Sequence, residues 1–361
     1  MGGLSYVDHR DDPAAWARAL SVSVHACRLL LDTDFVDLHN ALDVPMRLYG
    51  YAPTRHHGVA HRAPIGTGHT DFPRLREASV TGVVASIVTQ PLATARRRLR
   101  TTLDRVEAIT ALVRAQPEDL HLAVDHEGYR RARAANKTTF FLALAGGHAV
   151  SADPSVIEGP LGQQLHRIAL VHLTRSSLGG TGRFVGHDDG LTEPGRSLLA
   201  ACGRARIVVD LAHAGPQTFA ETLAAHAPDH PVVVSHTGAR AVHDHWKNLE
   251  DNQIRAIADR GGVVGISYDG RLLAKVRASA SRSNLLTHLE HVLRVGGEHT
   301  AALGTTYDGL MVPPHDLPDV THHPALVQDM LDRGWSEDRI RNVFGRNYLR
   351  VVEHLRPGAG R

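Results

Sequence analysis

Cysteine is nearly absent from this chain, with only Cys27 and Cys202 in 361 residues. Two distant thiols make neither a disulfide framework nor a paired-cysteine metal signature, which fits a reducing compartment and casts both as small buried residues. Lysine is almost as scarce, limited to Lys137, Lys247 and Lys275. Net charge is lacking too: 40 basic residues stand against 38 acidic ones, a formal +2, and the basic ones are spread out. That excludes the clustered basic footprint of a nucleic-acid binder and gives no pull towards a membrane surface. No apolar run approaches the roughly 18 residues of a spanning helix, and the opening MGGLSYVDHRDDPAAW has no basic-then-apolar leader pattern. The expectation is a cytoplasmic protein.

What is present is enough apolar material for a large core, 42% of the residues. Short β-type runs alternate with longer helical patterns almost from end to end, which argues for parallel strands joined by helical crossovers. The strands are expected at Phe35 to His39, Gly82 to Val88, Thr139 to Leu144, Ile168 to Leu173, Ile207 to Leu211, Val232 to Ser235, Val263 to Ser267 and Ala301 to Gly304. A weaker piece, Leu120 to Val124, looks peripheral. Leu99, Leu103, Val106, Ile109 and Val113 have the spacing of a helix core face, as do Ile340, Val343, Phe344, Tyr348 and Val351 after an N-cap at Ser336.

Eight strand–helix units with no internal repeat, low-complexity segment or Pro/Gly/Ser-rich linker predict an α/β fold, a TIM-type (β/α)8 barrel. An open dinucleotide-binding sheet would need a glycine fingerprint after its first strand, and none is there. The barrel is expected over 35–355, preceded by helical packing over 1–34 and followed by a tail over 356–361.

Histidine is abundant, with 26 residues. His39, His213 and His236 each close a short apolar run at the end of the first, fifth and sixth expected strands, where a barrel builds its active face. His56-His57 and His322-His323 sit in polar stretches that read as solvated surface. Gly179-Gly180-Thr181-Gly182 reads as a flexible loop of the active face. His187, beside Asp188 and Asp189, is an acid/base candidate, and His243 and His245 flank Lys247.

VDLHNALDVP, LALAGGHAV, GLTEPGRSLL, VVDLAHAG, VVVSHTGAR, KNLEDNQI, LGTTYDG and WSEDRIRNVFGRNYLRV, in that order, resemble the successive signatures of the membrane (renal) dipeptidases of the amidohydrolase superfamily. The resemblance implies a barrel holding two zinc ions, a peptide-like substrate and a homodimer. It places His39, His213 and His236 on the family's histidine ligands. It also places Ala41 on a ligand Asp, Ala145 on the bridging Glu and Thr306 on the Asp that moves the proton. Arg175 falls on a histidine that polarises the scissile carbonyl, and Lys247 on the arginine that binds the substrate carboxylate. Arg240, Tyr307 and Asp308 complete the expected substrate-binding set, while His148 matches a family histidine with a structural role.

Two dications a few ångströms apart need anionic ligands, and three imidazoles supply none. The expectation is therefore at most one ion on His39, His213 and His236, which leaves the cofactor as one zinc or none. Three functions follow. The first is an altered enzyme acting on a small carboxylate-bearing amino-acid or peptide-like substrate, with His39, His213, His236, Arg175 and His187 as its catalytic candidates. The second is a non-catalytic binder of a ligand or partner, and the third a zinc dipeptidase with replacement acids.

Overall fold

The computed structural model describes residues 3–58, 66–89, 93–174, 176–182 and 188–358. Nine strands form one parallel sheet: β1 (Val36–Asn40), β2 (Gly82–Val88), β3 (Leu120–Leu122), β4 (Thr138–Ala145), β5 (Leu165–Ala169), β6 (Val208–Asp210), β7 (Val232–Thr237), β8 (Val263–Ile266) and β9 (Ala301–Leu303). The order β1-β2-β4-β5-β6-β7-β8-β9 follows the chain, and β3 pairs only with the outer part of β4. Helices alternate with these strands, as right-handed parallel crossovers require. Past the end of β9 the chain turns back on β1, where Thr306 N–H donates to the His39 carbonyl at 2.8 Å and Ala41 N–H to the Tyr307 carbonyl at 2.9 Å. The result is a TIM-type barrel.

Period-two alternation sorts the strand residues into two clusters. Val83, Ala85, Ile87, Phe140, Leu142 and Leu144 pack outwards with the surrounding helices. Val84, Phe141, Val208, Val233, Val263 and Ala302 pack with Tyr348, Val352 and Leu355 of the last helix, Asn347–Leu355.

Two elements depart most from their expected faces or bounds. The helix Ala95–Arg114 buries Val106, Ile109 and Val113, but Leu103 is exposed because it lies off the arc that meets the barrel. The strand expected at Ile168 to Leu173 is β5, which starts and ends earlier; the apolar run continues as a buried loop through Val171. The stripe after Ser336 is wholly buried, and the Ser336 hydroxyl accepts the Arg339 N–H as an N-cap. Ahead of the barrel lie two helices, Pro13–Leu20 and Val24–Asp32. Cys27 and Cys202 are both free and buried.

Among the described residues, no helix is long and apolar enough to cross a membrane.

Candidate active site

Simple alternation would turn His39 away from the lumen, since Val36 and Leu38 already face the inner cluster. A bulge corrects this: three steps on β1, Asp37 to Asn40, match two on β2, Val83 to Ala85. β7 repeats the device, with Val234 to Thr237 against Val264 to Ile266. Bulges of this kind re-aim side chains. Here they bring His39 and His236 into a stack with ring centroids 3.7 Å apart.

His213 arrives differently. It lies past the end of β6 in a left-handed backbone conformation, φ 70°, a strained geometry for a side chain of this size. Its Nε2 lies 2.9 Å from Nε2 of His236, so one imidazole donates to the other. Its Nδ1 is buried with no partner among the described residues.

A polar chain anchors the cluster from below. Arg167 pairs with Asp210 at 3.2 Å, donates to the Leu38 carbonyl and reaches the Ser86 hydroxyl at 3.4 Å; that hydroxyl lies 3.0 Å from Nδ1 of His39. Ser235 Oγ meets Nδ1 of His236 at 2.8 Å. Burial pushes His39, His213 and His236 well below the usual imidazole range, and the positive charges of Arg167 and Lys247 push His39 further. These imidazoles are neutral at pH 7.

Lys247 follows β7 on a loop held by the Thr237 hydroxyl, which donates to the Lys247 carbonyl at 2.8 Å. Burial pulls its ammonium down to about 7 against the opposing attraction of Asp269, and its charge acts on all three histidines. His245 Nδ1 accepts the Lys247 N–H at 3.2 Å, and burial lowers His245 to about 4.

A fourth imidazole, His172, was missed in the sequence. Its ring meets that of His213 edge to face with centroids 4.7 Å apart, and burial lowers it to about 3. The signal was available, because His172 closes the run Ile168 to Val171 just as His39 closes its own. The resemblance had put the polarising histidine's place on Arg175, three residues later. Arg175 and His187 both lie outside the described residues.

The remaining expected site residues are not drawn into this cluster. Asp308 is fully buried and accepts from the backbone N–H groups of Gly68 and His69, at 2.6 and 2.9 Å, and from the Thr70 hydroxyl. Its oxygens hold the loop after β1. Tyr307 is equally buried, with its hydroxyl donating to the Leu317 carbonyl at 3.0 Å. Arg240 points outwards to Asp244 and Glu250, each at 2.9 Å. Asp188 accepts from Gln217 N–H and Thr218 N–H at the start of the helix Pro216–Ala225, so it caps a helix.

His148 contacts the Thr174 carbonyl at 3.2 Å. His323, expected at the surface, is instead core: its ring packs on Phe35, and its nitrogens meet the Val320 carbonyl and Tyr268 hydroxyl. His56, His57 and His322 are also engaged, with Glu77, the Ala52 carbonyl and Asp319. The glycine stretch is pinned by bridges from Gly179 to Leu191 and Thr181 to Ala214.

Of the three residues at which the resemblance implies acids, Ala41 and Ala145 are buried methyl groups, and the Thr306 hydroxyl pairs with that of Ser267 at 2.8 Å. The donor set does not fit a metal pair, because it offers imidazoles without a carboxylate and a lysine beside them. One tetrahedral zinc would need its nitrogens roughly 3.3 Å apart, from bonds of about 2.0–2.1 Å. His213 and His236 are closer than that and bonded to each other, so they would have to turn apart. Among the described residues, no group of three or more His, Cys, Asp or Glu side chains is arranged to hold a metal ion.

The model of the family described as membrane dipeptidase, peptidase family M19, matches residues 24–357. A metallopeptidase of family M19 described as dipeptidase AC is 25% identical, covering 90% of this chain and 99% of its own, with a TM-score of 0.82. The metallopeptidase from Rhodobacter sphaeroides liganded with a phosphinate mimic of the dipeptide L-Ala-D-Ala is also 25% identical, covering 90% and 100%, with a TM-score of 0.81. The probable dipeptidase PvdM from Pseudomonas aeruginosa shares the fold at 15% identity and a TM-score of 0.82, covering 94% and 98%.

Proposed function

Since the chain belongs to the membrane dipeptidase family, we propose that it takes a small amino-acid- or peptide-like carboxylate at the barrel mouth. It acts on that substrate through imidazoles and Lys247 in place of paired metal ions. The contact between Nε2 of His213 and Nε2 of His236 carries the reading. Nitrogens that would face metal in the family's arrangement share a proton with each other, which suits proton transfer by neutral imidazoles. Lys247 supplies the cation for the substrate carboxylate. The peptide mimic bound by the Rhodobacter sphaeroides relative supports a ligand of that size.

One observation favours binding without turnover. The hydroxyl pair of Thr306 and Ser267 stands where the family moves its proton, and neither hydroxyl is an acid near neutral pH. In both readings the protein works in the cytoplasm, which its two free thiols support, and as a homodimer, on the resemblance alone.

The test is metal analysis of protein purified without chelator, followed by a thermal-shift and turnover screen of amino-acid-like carboxylates. The expected result is less than one metal ion per chain and a carboxylate that raises the melting temperature. Turnover lost in His236→Ala marks the enzyme; binding with no turnover marks the binder. Two ions per chain with zinc-dependent dipeptide hydrolysis would overturn both.

A further inference from the structure

Among the described residues, most of the large apolar side chains left exposed on this barrel lie on its active face, and most of those lie in one sector. Leu48 and Tyr49 follow β1 and are 49% and 50% exposed; Val276 follows β8 at 60% and Leu310 follows β9 at 38%. Since β8, β9 and β1 are consecutive around the barrel, these loops adjoin. They are also bonded together. Gly270 N–H donates to the Val312 carbonyl at 2.9 Å, His315 N–H to the Ala280 carbonyl at 3.0 Å, and Gly68 N–H to Asp308 at 2.6 Å.

The carboxylates in the floor of this sector are engaged, Asp308 by the backbone N–H groups of Gly68 and His69. Ala41 and Thr306, two of the three lost acid positions, belong to this floor, and its deep carboxylate Asp269 is paired with Arg271. Lys275 and Arg277 flank Val276 on the rim. The neighbouring sector, after β5, β6 and β7, carries His172, His213, His236 and Lys247, with His39 of β1 stacked on His236. The mouth thus carries imidazoles and Lys247 on one side, and on the other the exposed apolar side chains of Leu48, Tyr49, Val276 and Leu310 with Lys275 and Arg277 at the rim.

Isolated exposed apolar residues need no explanation, but several on adjoining, hydrogen-bonded loops beside a binding site point to a contact surface. We infer that the ligand of this mouth is amphipathic, a carboxylate seated towards Lys247 with an extended apolar group laid along Leu48, Tyr49, Val276 and Leu310. An N-acylated amino acid has this form. The inference rests on the carboxylate reading above for the polar end only; the apolar end stands on its own residues.

The experiment is calorimetric titration of the full chain with N-acetyl-, N-butanoyl- and N-octanoyl-alanine, and with octanamide, which lacks the carboxylate. Affinity should rise roughly fourfold per added methylene, as burial of apolar chain requires. Val276→Ser and Leu310→Ser should flatten that series; unfolding midpoints equal to the parent's show that the fold is intact. Lys247→Met should weaken all the acyl-alanines by the same factor and leave octanamide unchanged.

A flat series in the parent protein, or one that both serine variants leave intact, overturns the inference. A length-dependent series indifferent to Lys247→Met retains the apolar contact and sinks the carboxylate reading. Should sedimentation show a dimer that Leu310→Ser converts to monomer while the series stays unchanged, a second copy is the occupant and the inference fails.

Discussion

Asp308 and Lys247 stand at the same end of the barrel, and their surroundings treat them differently. Burial alone would raise the carboxyl of Asp308, yet hydrogen bonds from the Thr70 hydroxyl and from His69 hold it below the usual range. Replacing it by alanine strands two backbone N–H groups in the core. Asp308→Ala should cost about 3–5 kcal/mol in denaturant unfolding. Lys247 has the opposite balance, burial exceeding attraction, so Lys247→Met should leave stability unchanged or raise it. Its effect should fall on binding, with carboxylate affinity reduced roughly tenfold or more. Because the ammonium titrates near 7, the free protein loses this positive charge as pH rises through that value. Carboxylate affinity should therefore be higher at pH 6 than at pH 8, a difference Lys247→Met removes. Equal affinities at both pH values would take Lys247 out of the site.

The strands of this barrel impose the cluster through their closeness at β7, β8 and β9. A Cβ added at Gly304 would lie 1.7 Å from the Ser235 carbonyl oxygen, and one added at Gly265 would lie 2.1 Å from the same atom. Both are backbone clashes that a side-chain rotation cannot relieve. Gly304→Ala should prevent folding or cost at least about 3 kcal/mol, while Gly297→Ala, with open space around it but φ +87°, should cost only about 1 kcal/mol. Similar unfolding midpoints for the two would show that the close approach does not matter.

The strands themselves were legible because buried β runs of Val, Ile and Leu announce themselves in one dimension. The bulges on β1 and β7 were not, since a bulge is a mismatch between two strands distant in sequence. His39 and His236 could thus be placed at strand ends, but not stacked. His172 was lost because the apolar run outlasts the hydrogen-bonded strand, which moved the expected boundary past it. His323 looked solvated beside another histidine; only the packing of Phe35 and Tyr268 around it shows otherwise.

Across the whole molecule, the density of buried imidazoles sets how the fold responds to acid. His166 and His172 are lowered to about 3 and His288 and His323 to about 4, burial being the first cause in each. His288 shows why: Nδ1 accepts the Ala239 N–H at 2.9 Å while Nε2 faces the Leu273 carbonyl at 3.3 Å, an arrangement that requires the neutral ring. A folded pKa below the unfolded 6.5 means the unfolded chain binds more protons in the interval between them. The stabilising contribution of each ring is therefore complete above pH 6.5 and lost as pH falls towards 4 and 3. Each contributes a slope of about 1.4 kcal/mol per pH unit inside that window. By pH 5 the four together remove on the order of 8 kcal/mol, comparable with the entire stability of a typical domain. Urea unfolding at pH 7.5, 6 and 5 should show a steep fall below 6.5, and His288→Gln, which keeps one acceptor and one donor, should reduce the slope by roughly one ring's share. A stability that stays level down to pH 5 would mean that these imidazoles are already protonated or solvated in the folded protein, and the neutral histidine cluster at the mouth would lose its electrostatic basis with them.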